Sequence, residues 1–258
     1  NPILTYETNV MGTANILESA RSIETLRSSV IVTTDKCYEN KEWPWGYRES
    51  DPLGGYDPYS SSKGCAELVT SAYRTSYFPV AEYENHKHAL ATARAGNVIG
   101  GGDWSADRLI PDAIRAFQGG KSALIRNPEA IRPWQHVLEP LSGYLILAQN
   151  LHENGPLYSS AWNFGPREED SISVRDLMDL LIYKWGSGAS WIGGDQQHLH
   201  EAHYLRLDCS KSKSHLDWVS RWNLNMALDA IIEWYRELEN EGDMRAFTLK
   251  IGRASCRE

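Results

Sequence analysis

Ser29 to Thr34 is a short run rich in β-branched residues with no polar alternation, the pattern of a strand covered on both faces within a parallel sheet. A strand of that kind needs helices on both sides of its sheet, which directs the chain toward an α/β architecture. Asp35 and Lys36 then fall at the carboxyl end of the strand, the edge where open α/β sheets bind their ligands.

The flanking segments keep the same alternation. Val10, Ala14 and Leu17 recur at helical spacing, widened by Ile16 and Ala20, so a helix from Thr8 or Asn9 to Arg21 is expected against the sheet. Gly12 inside it costs about 1 kcal/mol relative to Ala, and close approach of another backbone is the expected compensation. After an aromatic, turn-rich connection from Glu39 to Tyr56, Asp57 can cap a helix and Pro58 suits its first position, which puts Tyr59 in the first turn and Lys63 one turn on along the same face. Downstream, Leu90 to Ile99, Ala123 to Arg126 and Tyr204 to Cys209 read as strands, and Trp162 to Pro166 as a strand end and turn. Helices are expected from Arg108 to Phe117, Pro140 to Leu151, Val174 to Trp185 and Asn225 to Leu238.

Charge narrows the chemistry. With 26 Lys and Arg against 34 Asp and Glu, the net charge of −8 disfavours a nucleic-acid or anionic-membrane surface. No apolar run approaches the roughly 20 residues of a membrane span, and a cytoplasmic protein is the expectation. The cysteines (Cys37, Cys65, Cys209, Cys256) are scattered, without a Cys-x-x-Cys pair, as in a reducing compartment. Ile251 to Glu258 continues no pattern and reads as a non-native tail.

Tyr59 and Lys63 form a Tyr-x-x-x-Lys pair on a helix, a general acid/base device because a nearby ammonium favours the phenolate. The spacing alone fits a solvated helix face equally well. Its context, after a buried strand ending in Thr34 and Asp35, resembles the extended short-chain dehydrogenase/reductase superfamily. Thr33-Thr34-Asp35-Lys36-Cys37-Tyr38-Glu39-Asn40, Gly54-Gly55-Tyr56-Asp57-Pro58-Tyr59, Arg94-Ala95-Gly96-Asn97-Val98-Ile99-Gly100-Gly101-Gly102-Asp103-Trp104 and Arg132-Pro133-Trp134-Gln135-His136-Val137 are together similar to the CDP-glucose 4,6-dehydratase family, over essentially Asn1 to Met244.

The resemblance implies an NAD-dependent hydro-lyase that converts CDP-glucose to CDP-4-keto-6-deoxyglucose by internal hydride transfer and loss of water. Tyr59, assisted by Lys63 and Thr34, would take the C4 hydroxyl proton, and Tyr59 and Lys63 would also contact NAD. Asp35 would protonate the departing C6 hydroxyl. Lys36 stands where related dTDP-glucose dehydratases carry Glu; it would stabilise the enolate and share the base role at C5. Asn97, Arg108, Arg132 and His136 would bind the nucleotide sugar, Arg forks and amide donors suiting phosphate oxygens, although His136 also fits a structural role. Family members tend to be homo-oligomers. A nucleotide-sugar 4-epimerase, another nucleotide-sugar dehydratase, and an inactive nucleotide-binding fragment are the alternatives.

Two features are decoys on this reading. Gly100 to Gly102 opens no helix with G-x-G-x-x-G spacing, and the sequence contains no such turn. His198, His200, Glu201 and His203 could suggest a metal, but a loop bordering the nucleotide site is preferred and no metal is expected. The expected fold is a partial Rossmann-type doubly wound parallel sheet with a smaller C-terminal substrate-binding domain. Residues 1–104, with 137–166 returning, would form the later half of the NAD-binding domain, and 105–250 mainly the nucleotide-sugar domain. The first half of the cofactor domain is expected to be absent, leaving an unpaired sheet edge and a marginally folded chain.

Overall fold

The computed structural model describes residues 1–186, 188–194 and 204–257. In chain order the elements are α1 (Pro2–Tyr6), α2 (Gly12–Arg21), β1 (Ser28–Val32), α3 (Pro58–Ser76), α4 (Tyr83–His86), β2 (Ala89–Ala95), β3 (Asn97–Ile99), α5 (Leu109–Gln118) and β4 (Ala123–Ile125). They continue with β5 (Ile131–His136), α6 (Leu138–Asn154), β6 (Ala161–Phe164), β7 (Ser171–Ser173), α7 (Val174–Trp185), β8 (Trp191–Gly193), α8 (Ser210–Leu216), α9 (Leu224–Glu239) and α10 (Met244–Arg257).

The chain forms two compact units. The first comprises Asn1–Gly96, Pro140–Gly165 and Leu205–Val219. Its sheet is parallel with the order β1-β2-β6, pairing Val32 with Ala93 and Ala95 with Phe164. Every residue of β2 is buried, as a central strand covered on both faces requires. Leu90 packs with Leu17 and Phe78 on one face, whereas Ala89, Ala91 and Ala93 meet Leu147, Leu151 and Trp162 on the other. Period-2 alternation along β2 thus assigns α2 and α3 to one side and α6 to the other, which makes the sheet doubly wound. Burying each large apolar side chain here contributes roughly 1.5–3 kcal/mol.

The second unit comprises Asn97–Glu139, Pro166–Tyr204 and Ser220–Glu258. β5 lies between β3, parallel to it, and β7, antiparallel to it, while β4 pairs in parallel with β8. α5, α7 and α9 bury Ile114, Leu177, Met178, Leu181, Leu228 and Ile231 in one core.

Several sequence expectations need correcting. Leu90 to Ile99 is two strands in two sheets, broken at Gly96; a continuous apolar pattern cannot reveal that the chain changes units within it. The first unit ends at Gly96 and takes back Leu205–Val219 as well as Pro140–Gly165, where the sequence pattern placed the boundary at 104 and one return at 137–166. Tyr204 to Cys209 forms no strand, only bridges at Ile131↔Tyr204 and Tyr47↔Leu207. Helical structure begins at Pro2 and passes through one π turn (Glu7–Met11). Gly12 follows that turn directly, and a Cβ there would meet only the Glu7 carbonyl oxygen, at 3.9 Å. No close backbone contact accounts for this glycine. Residues 251–257 continue helix α10.

Candidate active site

The candidate catalytic residues collect at the carboxyl end of β1. Beyond the strand, the Thr33 backbone N–H still donates to the Ala93 carbonyl at 2.8 Å, and Thr34 stays extended before the chain turns into a single 3₁₀ turn, Asp35–Cys37. Thr34 caps this turn, its Oγ1 accepting from the Lys36 N–H at 3.4 Å. The same hydroxyl donates to Asp35 Oδ1 at 2.9 Å. Asp35 is only 1% exposed, so its carboxyl sits in a desolvated setting. Tyr144, on α6, lies in its field: burial and then the Asp35 charge raise the Tyr144 phenol above its ordinary range.

The start of α3 is held against this turn by its cap and by glycines. The Asp57 carboxylate accepts from the backbone N–H groups of Tyr59 and Ser60 at 2.9 and 3.1 Å, satisfying two otherwise orphaned donors. Burial opposes the charge of Asp57, but hydrogen bonds from Ser60 and Tyr59 and the Lys36 ammonium hold its carboxyl below the ordinary value. Gly54 donates its N–H to the Cys37 carbonyl at 2.8 Å. A Cβ on Gly64 would stand 2.7 Å from the Gly54 carbonyl oxygen, and one on Gly55 2.2 Å from the Ser61 nitrogen. Only glycine allows helix, connection and turn to approach so closely. The exposed Lys36 places its Nζ 6.0 Å from the centroid of the Tyr59 ring, and Tyr59 itself is 42% exposed. Lys63 follows one turn later, half-buried, its pKa lowered by burial alone. Thr34, Asp35, Lys36 and Tyr59 are therefore neighbours in one unit, with Lys63 on the Tyr59 face of α3.

Beneath them lies a buried network that the strand pattern did not disclose. Glu67, on α3, receives Arg94 Nε and Nη2 at 2.9 and 2.8 Å, together with the hydroxyls of Thr33 and Thr92. Arg94 also donates to the Tyr38 hydroxyl at 2.8 Å, which in turn donates to Asn163 Oδ1 at 2.7 Å. One signal was available: Arg94 is the one charged residue in the strand, and a buried charge must find a partner.

The four residues expected to bind nucleotide sugar lie in the second unit. Asn97 opens β3, and the exposed Arg108 occupies the cap position before α5. Arg132 is buried on β5 and donates to the Ile131 carbonyl at 2.9 Å. His136 ends β5, its Nδ1 accepting from the Leu138 N–H at 3.3 Å and its ring packed on Trp222 at 5.0 Å. Burial depresses its pKa to about 4; a neutral ring at the start of α6 is the outcome, which gives weight to the structural role. Gly101 is required by packing, since a Cβ there would sit 2.3 Å from Trp234. His198, His200, Glu201 and His203 lie outside the described residues. Among the described residues no cluster of His, Cys, Asp or Glu could hold a metal ion, and no helix is long and apolar enough to cross a membrane.

For NAD, the donor set at the sheet edge fits the nicotinamide riboside end. Lys63 combines a half-buried ammonium with no ion pair among the described residues, as suits a donor to ribose hydroxyls, and Tyr59 carries a phenol one turn away. The sequence contains no G-x-G-x-x-G turn of the kind that cradles a pyrophosphate.

Comparisons with known proteins place the chain in a family. Residues 1–231 match the family described as GDP-mannose 4,6 dehydratase. CDP-glucose 4,6-dehydratase of Salmonella typhimurium (strain LT2) is 54% identical over 243 residues, which are 94% of this chain and 68% of that protein. A dTDP-glucose 4,6-dehydratase of Streptomyces antibioticus is 27% identical over 89% of this chain and 63% of its own length. The chain thus spans about two thirds of these relatives. Among solved structures, dTDP-glucose 4,6-dehydratase of Bacillus anthracis, in complex with NAD, superposes with a TM-score of 0.75 at 21% identity, covering 94% of this chain and 72% of that one; the likeness establishes the Rossmann-type fold. By the extent of these matches, the chain belongs to the GDP-mannose 4,6 dehydratase family and, within it, to the group of CDP-glucose 4,6-dehydratase.

Proposed function

We propose that this chain carries the catalytic centre of an NAD-dependent nucleotide-sugar 4,6-dehydratase acting on CDP-glucose. The carrying observation is the buried Asp35 carboxyl, hydrogen-bonded to Thr34 at the carboxyl end of β1 and adjoining the turn against which Tyr59 is held. A 4-epimerase needs an acid/base pair for C4 but no second acid to expel a hydroxyl. The Asp35 carboxyl supplies that second acid, and this favours dehydration.

Bound NAD supplies a hydride acceptor for C4 and, later, the same hydride for C6. Tyr59 accepts the C4 hydroxyl proton, its phenolate favoured by the Lys63 ammonium on the same helix face. Thr34 orients the reacting hydroxyl and fixes Asp35. The C4 ketone acidifies the C5 hydrogen. Asp35 then donates its proton to the C6 hydroxyl, which leaves as water. Lys36, beside the Tyr59 ring, stabilises the enolate and shares with Tyr59 the handling of the C5 proton. Asn97, Arg108 and Arg132 bind the nucleotide end, Arg132 through a guanidinium suited to the diphosphate, with His136 supporting Arg132's strand or contacting substrate. Net, CDP-glucose loses one water and no NAD is consumed. A cytoplasmic location, supported by the free thiols of Cys37, Cys65 and Cys209, and a homo-oligomeric assembly belong to the same reading.

Incubation of the protein with CDP-glucose and NAD tests it. A 4-keto product that absorbs strongly in alkali is expected, CDP-galactose would instead indicate an epimerase, and nucleotide binding without turnover would indicate an inactive fragment.

A further inference from the structure

The first unit contains a cavity of about 700 Å³ that the proposed reaction does not use, a size typical of small-molecule sites. It lies on the α3 face of the sheet, bounded by Glu67, Ser71 and Arg74 of α3, by residues 48–51, and by Ser160 and Lys211. Arg74 Nε donates to the carbonyl of Leu90, at the amino end of β2, at 2.9 Å. Arg94 and Glu67 also line it, so the cavity runs from there to the level of Leu90.

Its lining carries four basic residues, Arg48, Arg74, Arg94 and Lys211, and four carboxylates, Glu49, Asp51, Glu67 and Asp208. The wall carboxylates are each engaged: Glu67 by Arg94, Asp208 by Arg48, Asp51 by the Arg48 N–H at 2.8 Å, and Glu49 by the Asn163 N–H at 2.8 Å. Arg94 and Arg48 are thereby paired. Among the described residues Arg74 and Lys211 have no ion pair: Lys211 donates to Ser160 Oγ and the Ala161 carbonyl at 2.8 and 2.6 Å, and Arg74 makes only the bond from Nε. The outer guanidinium nitrogens of Arg74 form the planar fork that binds phosphate oxygens in pairs. Burial lowers the pKa of both cations, opposed by the Glu67 charge at Arg74 and the Glu49 charge at Lys211 and reinforced at both by the charge of Arg94. Hydroxyls of Ser50, Ser71, Ser160 and Ser210 line the same space.

We propose that this cavity binds a small phosphate-bearing molecule, its phosphoryl group on the Arg74 fork and the Lys211 side, at a site separate from the one that handles the nucleotide sugar. An occupant would lie against Glu67, one hydrogen bond from Thr33 and hence from the strand end that carries Thr34.

Calorimetric titration of the purified protein with inorganic phosphate and, separately, with ribose 5-phosphate tests this, because neither probe carries a base or a diphosphate for the nucleotide-sugar site. Saturable binding of one equivalent is expected, weakened at least tenfold by Arg74→Gln and by Ser71→Glu, which adds a carboxylate at an exposed wall position, and unchanged by Arg132→Gln. Tighter binding of ribose 5-phosphate would assign the site to phosphorylated sugars, and equal binding to the free oxyanion. Absence of saturable binding of either probe overturns the proposal, as does binding that survives Ser71→Glu and Arg74→Gln or is lost in Arg132→Gln.

Discussion

Replacing Glu67 by Gln removes one charge and little volume from the core beneath the candidate active site. Both partners of the Glu67–Arg94 ion pair are 3% exposed, so the variant leaves the Arg94 guanidinium buried without its countercharge, with neutral acceptors only: the new amide oxygen, the Tyr38 hydroxyl and the Glu49 carbonyl. Breaking a buried pair on one side costs about 3–5 kcal/mol, and in a chain of this size 1 kcal/mol corresponds to roughly 2–4 °C. The melting temperature should therefore fall by roughly 6–20 °C, or the urea midpoint by the equivalent, followed by tryptophan fluorescence. Pairing Glu67→Met with Arg94→Met should recover most of the loss, because desolvation of both charges is then avoided.

The pH dependence has a definite sign. Burial raises the Glu67 pKa, but hydrogen bonding to Arg94, the Arg94 charge and the threonine hydroxyls outweigh it and hold the folded value below the ordinary 4.5. As pH falls the unfolded chain binds this proton first, so the contribution is complete above about 4.5 and drains as pH passes down through the folded value. Glu67→Gln should lack that slope. A Glu67→Gln protein within about 1 kcal/mol of the parent at neutral pH would refute the reasoning.

Asp35→Asn should retain C4 oxidation, seen as a transient reduced-nicotinamide absorbance, while release of the dehydrated product falls by about 10²–10⁴-fold, the usual weight of a general acid; unchanged product release would remove Asp35 from the elimination. Lys36→Met should slow exchange of the C5 proton with solvent deuterium, and exchange at the parental rate would remove Lys36 from that step. His136, with its pKa near 4 against 6.5 in the unfolded chain, should titrate near pH 4 by nuclear magnetic resonance. Its contribution to stability is complete above pH 6.5 and declines as pH falls toward 4; a midpoint near 6.5 would place the ring in solvent.

The sequence alone determined the local pieces. An apolar β-branched run without alternation implied a parallel strand covered on both faces; β1 does pair in parallel with the fully buried β2, but is itself only half-buried, with Val32 exposed. Asp57 and Pro58 specified the start of α3, hence the turn that carries Tyr59 and the one that carries Lys63. These features follow from interactions spanning a few residues, namely side-chain caps, fixed proline φ and hydrophobic period, and can be read in order along the chain. Only tertiary structure decided what lies far apart in sequence. It joined Glu67 to Arg94, and Tyr38 to Asn163. It divided the run Leu90 to Ile99 between two units and brought Leu205–Val219 back to the first. It also opened, between α3 and Lys211, a cavity lined by four basic and four acidic side chains. Burial, and with it the need of each charge for a partner, is a property of the packed molecule, and no window of neighbouring residues contains it.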